Sequence, residues 1–238
     1  MKKIVLAIIF IAFNFNANAQ ISASFFSKTD VFLKKNVSNG KVDYQTIKND
    51  PALLNEVLEI AAKIDVSKET VNSQKAFWIN AYNLTLIKAI VNKYPVKSPL
   101  DIAGLFDKGT YLLAGKKYTL NDIENKMIRE KYNDPRVHFV LVCGANGCPP
   151  IINNAYLPET LEDQLNKQAK LALNNPNFIK VNATSKKVEL SQIFEWYKAD
   201  FISKGKNEID FINQFRDSKI DTKYKVSYYT YDWTLNKK

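Results

Sequence analysis

Apolar residues recur along most of the chain at helical spacing. Asp50 and Pro51 supply a cap and a first-turn proline ahead of ALLNEVLEIAAKI, whose apolar positions predict one buried helical face. Thr119, followed three residues later by Asp122, makes a capping-box pattern before IENKMIREKY, and Asn207 with Asp210 repeats it before FINQF. Pro158 opens ETLEDQLNKQAKLAL, in which Leu161, Leu165, Leu171 and Leu173 are assigned to one buried face. The helix expected from about Thr70 to Tyr94 differs in kind. From Ala76 to Val91 nearly every position is apolar, so burial on most sides is expected.

Strand signals are fewer. Tyr111 to Ala114 and Lys117 to Thr119 flank Gly115, and Phe178 to Asn182 pairs in pattern with Lys187 to Leu190, which predicts two small hairpins. Val137 to Val142 contains only one polar residue, His138, the profile of a buried strand. The stretch KVSYYTYDW, Lys225 to Trp233, is rich in aromatic and β-branched residues and predicts a last strand. Helices that do not alternate strictly with strands predict an α+β fold: one mostly helical domain with a small, central, mainly antiparallel sheet that includes the buried strand at about 137–142.

No repeat, low-complexity run or Gly/Ser linker interrupts residues 40–235, so residues 40–238 read as a single domain after a lead-in segment at 20–39. Residues 1–19 read as a signal peptide, with Lys2 and Lys3, an apolar run from Ile4 to Phe13, and Ala17-Asn18-Ala19 before the cleavage point. That run is shorter than the roughly 20 residues that cross a bilayer. The mature chain is therefore expected to begin at Gln20, to lack a transmembrane segment, and to be periplasmic or secreted in a bacterium. Cleavage removes two lysines and no acid, lowering the formal charge from +10 to +8 over 219 residues. The remaining lysines are scattered, with no Arg-rich helix and no ribonucleoprotein motif. Nucleic acid is not an expected partner, whereas a weak attraction to an anionic envelope surface fits.

Candidate chemistry concentrates in two segments. Asn80 and Asn83 lie three apart on one face of the apolar helix, and a buried amide without partners costs about 1–3 kcal/mol. They either pin the backbone of a neighbouring loop or line a pocket floor. Trp78 and Tyr82, four apart, read as core packing. The second segment, DPRVHFVLVCGANGCPP, holds the only histidine and both cysteines of the chain. A thiolate and an imidazole invite nucleophilic catalysis. If Val137 to Cys143 is extended, however, His138 and Cys143 lie roughly 16 Å apart on opposite faces, and Cys148, beyond the turn, meets Cys143 before His138.

Several readings of that segment stay open. Cys143 and Cys148 form a disulfide in an oxidising compartment, or a redox-active pair, although their spacing is not C-x-x-C. A zinc site needs a carboxylate to complete it. In a further reading Gly144 and Gly147 permit positive φ and Pro149 starts a helical turn with Cys148 at its cap. Backbone N–H groups then point into a cleft as oxyanion-type donors. The candidate catalytic residues are Cys148, Cys143 and His138. The candidate ligand-binding residues are Asn80, Asn83, Gly144, Asn146 and Gly147. The pattern asks for no cofactor and no metal.

Three blocks in order, AFWINAYN, DPRVHFVLVCGANGCPPI and ELSQIFEWYKADF, resemble the signature blocks of the domain-of-unknown-function family 547 (DUF547), found in bacteria and plants. The resemblance spans roughly residues 70–202. It implies no activity, because the family carries no assigned biochemistry. It directs attention to Trp78, Asn80, Tyr82 and Asn83, to His138, Cys143, Gly144, Cys148 and Pro149, and to Glu195, Trp196, Tyr197 and Phe201. Plant members of that family tend to keep the equivalent of Cys143 and to lose that of Cys148, so the resemblance argues against an obligatory disulfide or Cys148 nucleophile across the whole family and leaves both open for its bacterial branch.

Two functions fit these observations. A noncatalytic binding or scaffold protein of the cell envelope, with a peptide, envelope component or protein as partner, is favoured because buried motifs more often pack than react. The alternative is a thiol-dependent hydrolase or acyltransferase acting on a peptide or cell-envelope substrate.

Overall fold

The computed structural model describes residues 20–203 and 205–238. The expected signal peptide at 1–19 lies outside them. Helix α1 occupies residues 20–36 and buries Phe25, Phe32 and Leu33. A hairpin of β1 (Val37–Ser38) and β2 (Lys41–Val42) follows, turned by Asn39 and Gly40, both at positive φ. Then come α2 (Tyr44–Asn49), capped by Asp43, and α3 (Ala52–Lys63), which starts after Pro51. Helix α4 (Val71–Lys93) begins where Thr70 accepts a hydrogen bond from the Ser73 N–H, and it is buried at nearly every position from Lys75 to Val91.

The hairpin expected around Gly115 forms from β3 (Tyr111–Leu113) and β4 (Lys116–Tyr118). Thr119 and Asp122 complete their capping box at the start of α5 (Leu120–Asp122). The chain then winds as a π-helix over Ile123–Arg129 before α6 (Glu130–Tyr132), which ends at Asn133 in the left-handed region. In α7 (Leu161–Asn174), Leu161, Leu165 and Leu173 are buried, but Leu171 is 58% exposed. At about 100° per residue Leu171 falls off the face formed by Leu161, Leu165 and Ala169. The second hairpin, β5 (Ile179–Asn182) and β6 (Lys187–Ser191), leads into α8 (Gln192–Trp196), α9 (Lys198–Ile202), α10 (Glu208–Phe215) and β7 (Lys225–Tyr229). Strand β7 pairs with β6 in parallel, so the third sheet is mixed, in the order β5-β6-β7.

The fold is α+β as expected, with three small sheets in place of one central sheet. One element differs outright. Residues 137–142 are buried but form no strand: Pro135–Phe139 is a 3-10 helix, started by Pro135 and capped by the Asp134 carboxylate on the Arg136 N–H. A strand needs a partner ladder, and here one side chain supplies the bonds instead. The Asn83 amide donates to the Val140 carbonyl (2.9 Å) and its oxygen accepts from the Val142 N–H (3.0 Å).

Among the described residues, two apolar clusters make up the interior. The first surrounds α4 and takes side chains from α1, α2, α3 and the π-helix; the second gathers β5, β6 and α8 to α10. Helix α7 serves both, with Leu161 and Leu165 in the first and Ala169 and Leu173 in the second. Residues 137–145 run along the junction, Val137 and Val140 pointing into one cluster and Phe139 and Ala145 into the other.

Candidate functional site

A cleft of about 250 Å³ opens at this junction. Helix α4 contributes Tyr82, the helix from 120 to 132 contributes Asn121 and Glu124, and the junction segment contributes His138, Cys143 and Cys148. The far wall is aromatic: Trp196 and Tyr197 from around α8, and Tyr231 and Trp233 from the tail. His138 and both cysteines therefore face one space. The opposite faces expected for an extended strand do not arise, because the 3-10 turn replaces that strand.

Glu124, its two tyrosines and His138 are held in place. Glu124 accepts hydrogen bonds from the Tyr197 hydroxyl (2.5 Å) and the Tyr82 hydroxyl (3.2 Å). Burial pushes both phenols well above their ordinary range, and the Glu124 charge adds to it, so both stay O–H donors at neutral pH. His138 places Nε2 2.7 Å from Asp200 Oδ2. Its ring stacks on Tyr197 with centroids 4.1 Å apart. Arg129 grips the same Asp200 through Nε (2.7 Å) and Nη2 (3.1 Å), and lies 4.7 Å over the Tyr197 ring. Burial alone would raise the Asp200 carboxyl; hydrogen bonds from His138 and Arg129 outweigh it and keep the group ionised far below the usual range.

The two sulfurs are joined as a Cys143–Cys148 disulfide with Cα atoms 6.5 Å apart. The Cys143 N–H donates to Cys148 Sγ (3.0 Å), and the Tyr231 hydroxyl stands 2.8 Å from each sulfur. Burial raises the Tyr231 phenol too, so it remains protonated and donates to the bridge.

The turn that links the cysteines is arranged differently from the oxyanion-donor reading. Three of its N–H groups are already bonded: Asn146 to the Thr234 carbonyl and Gly147 to the Asp232 carbonyl (both 2.8 Å), and Cys148 to the Ala145 carbonyl (3.3 Å). Residues 149–152 are not helical, so Cys148 caps no helix. Gly144 does adopt positive φ (78°), and a Cβ there would sit 2.6 Å from Ile90 Cδ1; at Gly147 it would sit 2.8 Å from the Tyr231 ring. Close packing is what both glycines allow. Asn146 projects to the outer side and contacts Lys41.

Asn80 and Asn83 do not line the cleft. Asn80 donates to the Tyr156 carbonyl (2.7 Å) and accepts from the Tyr156 N–H (3.0 Å), while Asn83 holds Val140 and Val142 from behind. Both amides are taken up by backbone, which fixes the segment that carries His138 and the cysteines.

Sequence reasoning missed Glu124, Arg129, Asp200, Tyr231 and Trp233. Asp200 stood inside the third block, ELSQIFEWYKADF, and the aromatic run of the tail was a signal for a wall as much as for a strand. Nothing local marked Glu124 or Arg129, which converge on the cleft from opposite ends of the π-helix.

No curated protein and no solved structure matches this chain. Residues 66–171 match the model of the family described as Protein of unknown function, DUF547; the match takes in the first two sequence blocks and supports kinship with this family.

Proposed function

We propose that this chain is a binding protein of the bacterial cell envelope, exported by its first 19 residues, whose cleft receives a small ring-bearing ligand or side chain with a hydrogen-bond donor. The carrying observation is the pairing of aromatic walls with Glu124, oriented by Tyr82 and Tyr197. Each carboxylate oxygen that accepts one tyrosine O–H still has a second lone pair for a ligand. Trp196, 46% exposed, stacks on Trp233 at 5.8 Å and packs beside Tyr231, an open aromatic face of the kind that binds flat or ring-shaped groups. A cleft of this size suits one ring. Residues 1–19 support export, and no helix among the described residues is long and apolar enough to cross a membrane.

The alternative, a thiol-dependent hydrolase or acyltransferase, has less support. The two sulfurs are bonded to each other, and the N–H groups of Asn146, Gly147 and Cys148 already have acceptors.

Tryptophan fluorescence titration with envelope-derived muropeptides and aromatic dipeptides tests the binding reading. Saturable quenching is expected for the wild type, with affinity falling about tenfold or more in Glu124→Gln and Trp196→Ala at unchanged melting temperature. Ligand affinity untouched by both substitutions overturns it.

A further inference from the structure

We propose that the Cys143–Cys148 bridge is a working thiol–disulfide couple, with Cys148 as its thiolate-forming sulfur and a dithiol as its reaction partner. The inference goes beyond ligand binding and requires only that a thiol reach the cleft.

Three observations carry it. Both sulfurs line the open cleft and both cysteines are only half-buried, so an incoming thiolate has a path to them. The ring they close holds four residues between the cysteines, and the segment around it is fixed without the bridge, by Asn83 on one side and by the C-terminal backbone on the other. Opening the bridge therefore releases little structure. Finally, the donors are unequal. Cys148 Sγ receives the fixed Cys143 N–H and shares the Tyr231 hydroxyl, whereas Cys143 Sγ has only its share of that hydroxyl. Charge-assisted hydrogen bonds favour a thiolate over a thiol, so the negative charge settles on Cys148.

The chemistry balances as an exchange. A substrate thiolate attacks Cys143 Sγ, the Cys143–Cys148 bond breaks, and its electron pair leaves on Cys148 Sγ, which takes the Cys143 N–H and Tyr231 O–H as donors. The second thiol of the substrate, once deprotonated, attacks the substrate sulfur of the mixed disulfide. A substrate disulfide forms, and Cys143 leaves as thiolate and is protonated. Two electrons pass from the dithiol to the protein, and both substrate protons go to protein sulfur or solvent. The reverse sequence with a disulfide compound restores the bridge.

The test uses the full chain, equilibrated natively in mixtures of reduced and oxidised dithiothreitol, quenched by alkylation and read by mass spectrometry. A reversible two-electron transition is expected with circular dichroism unchanged. Brief iodoacetamide treatment of the reduced wild type should label Cys148 about tenfold ahead of Cys143, the factor a charge-assisted hydrogen bond supplies. Tyr231→Phe keeps the ring packing and should shift the equilibrium toward the disulfide by a similar factor. Reduction only after denaturation overturns the proposal, as does equal labelling of the two cysteines in the wild type, a readout that does not depend on the variant folding. The exchange is read by alkylation with no ligand present and ligand binding by fluorescence quenching of the oxidised chain, so failure of one reading is separable from failure of the other.

Discussion

Asn83 shows how much a single buried amide can position. Its side chain replaces the edge of a sheet, giving the Val140 carbonyl a donor and the Val142 N–H an acceptor just before the first cysteine. Asn83→Ala leaves both backbone groups unpaired in the interior, and urea denaturation should show a loss of about 3 kcal/mol. Asn83→Asp keeps the acceptor for Val142 but faces the Val140 carbonyl with a second oxygen, and should lose at least as much. An Asn83→Ala variant as stable as the wild type would mean that water or a local shift satisfies both groups. Spacing alone revealed that Asn80 and Asn83 share a face and need partners, because burial obliges an amide to bond something. The identity of those partners, 57 and 76 residues away, is set by tertiary packing that no local pattern encodes.

At the scale of elements, caps and turns were legible wherever the physics is local. The Thr119–Asp122 box, Asn207 and the Ala114-Gly115 turn all act within four residues. The buried segment at 137–142 was not legible, because an apolar run looks the same whether a strand or an amide side chain satisfies its backbone. The π-helix left no trace either, since one extra residue per turn needs no particular composition. The C-terminal segment matters more than its irregular backbone suggests. Carbonyls of Asp232 and Thr234 accept from the 146–147 turn, the Leu235 N–H donates to the Lys97 carbonyl, and Asn236 N–H donates to Gly144. Removing residues 231–238 should cost several kcal/mol and free the 144–148 turn. Hydrogen exchange at the Asn146 and Gly147 amides reads that release directly; amides that stay protected in the shortened chain would contradict it.

Across the whole molecule, charge fastens α7 to α4 and to the junction segment. Lys75, only 5% exposed, pairs with Asp134, which also takes two bonds from Arg136, and Arg136 reaches Glu162 on α7. Burial opposes the Asp134 charge, but hydrogen bonds from Arg136 and Lys75 prevail and hold the carboxyl at about 2 against an ordinary 3.8. The folded state thus binds this proton less readily than the unfolded chain. The resulting stability, about 2 kcal/mol, is complete above roughly pH 4 and is lost as pH falls through about 2. Asp134→Asn should cost about 3 kcal/mol at pH 7 by leaving Lys75 poorly paired, and its stability should vary less between pH 4 and pH 2 than that of the wild type. Chemical denaturation at a series of pH values distinguishes the two curves; parallel curves would assign the acid sensitivity to other carboxylates.

The cleft's construction from both clusters bears on where the unit of folding and of selection lies. The matched stretch at 66–171 contains Tyr82, Glu124, His138 and the two cysteines, while Trp196, Tyr197, Asp200, Tyr231 and Trp233 fall beyond it. A fragment trimmed to those limits would keep His138 without its carboxylate and the disulfide without its tyrosine, and would cut α7 short at Leu171, leaving Ala169 without the cluster that buries it. Boundaries drawn from sequence similarity here enclose only one wall of the cleft, and comparisons between relatives become informative about the cleft only when they extend to the tail that closes it.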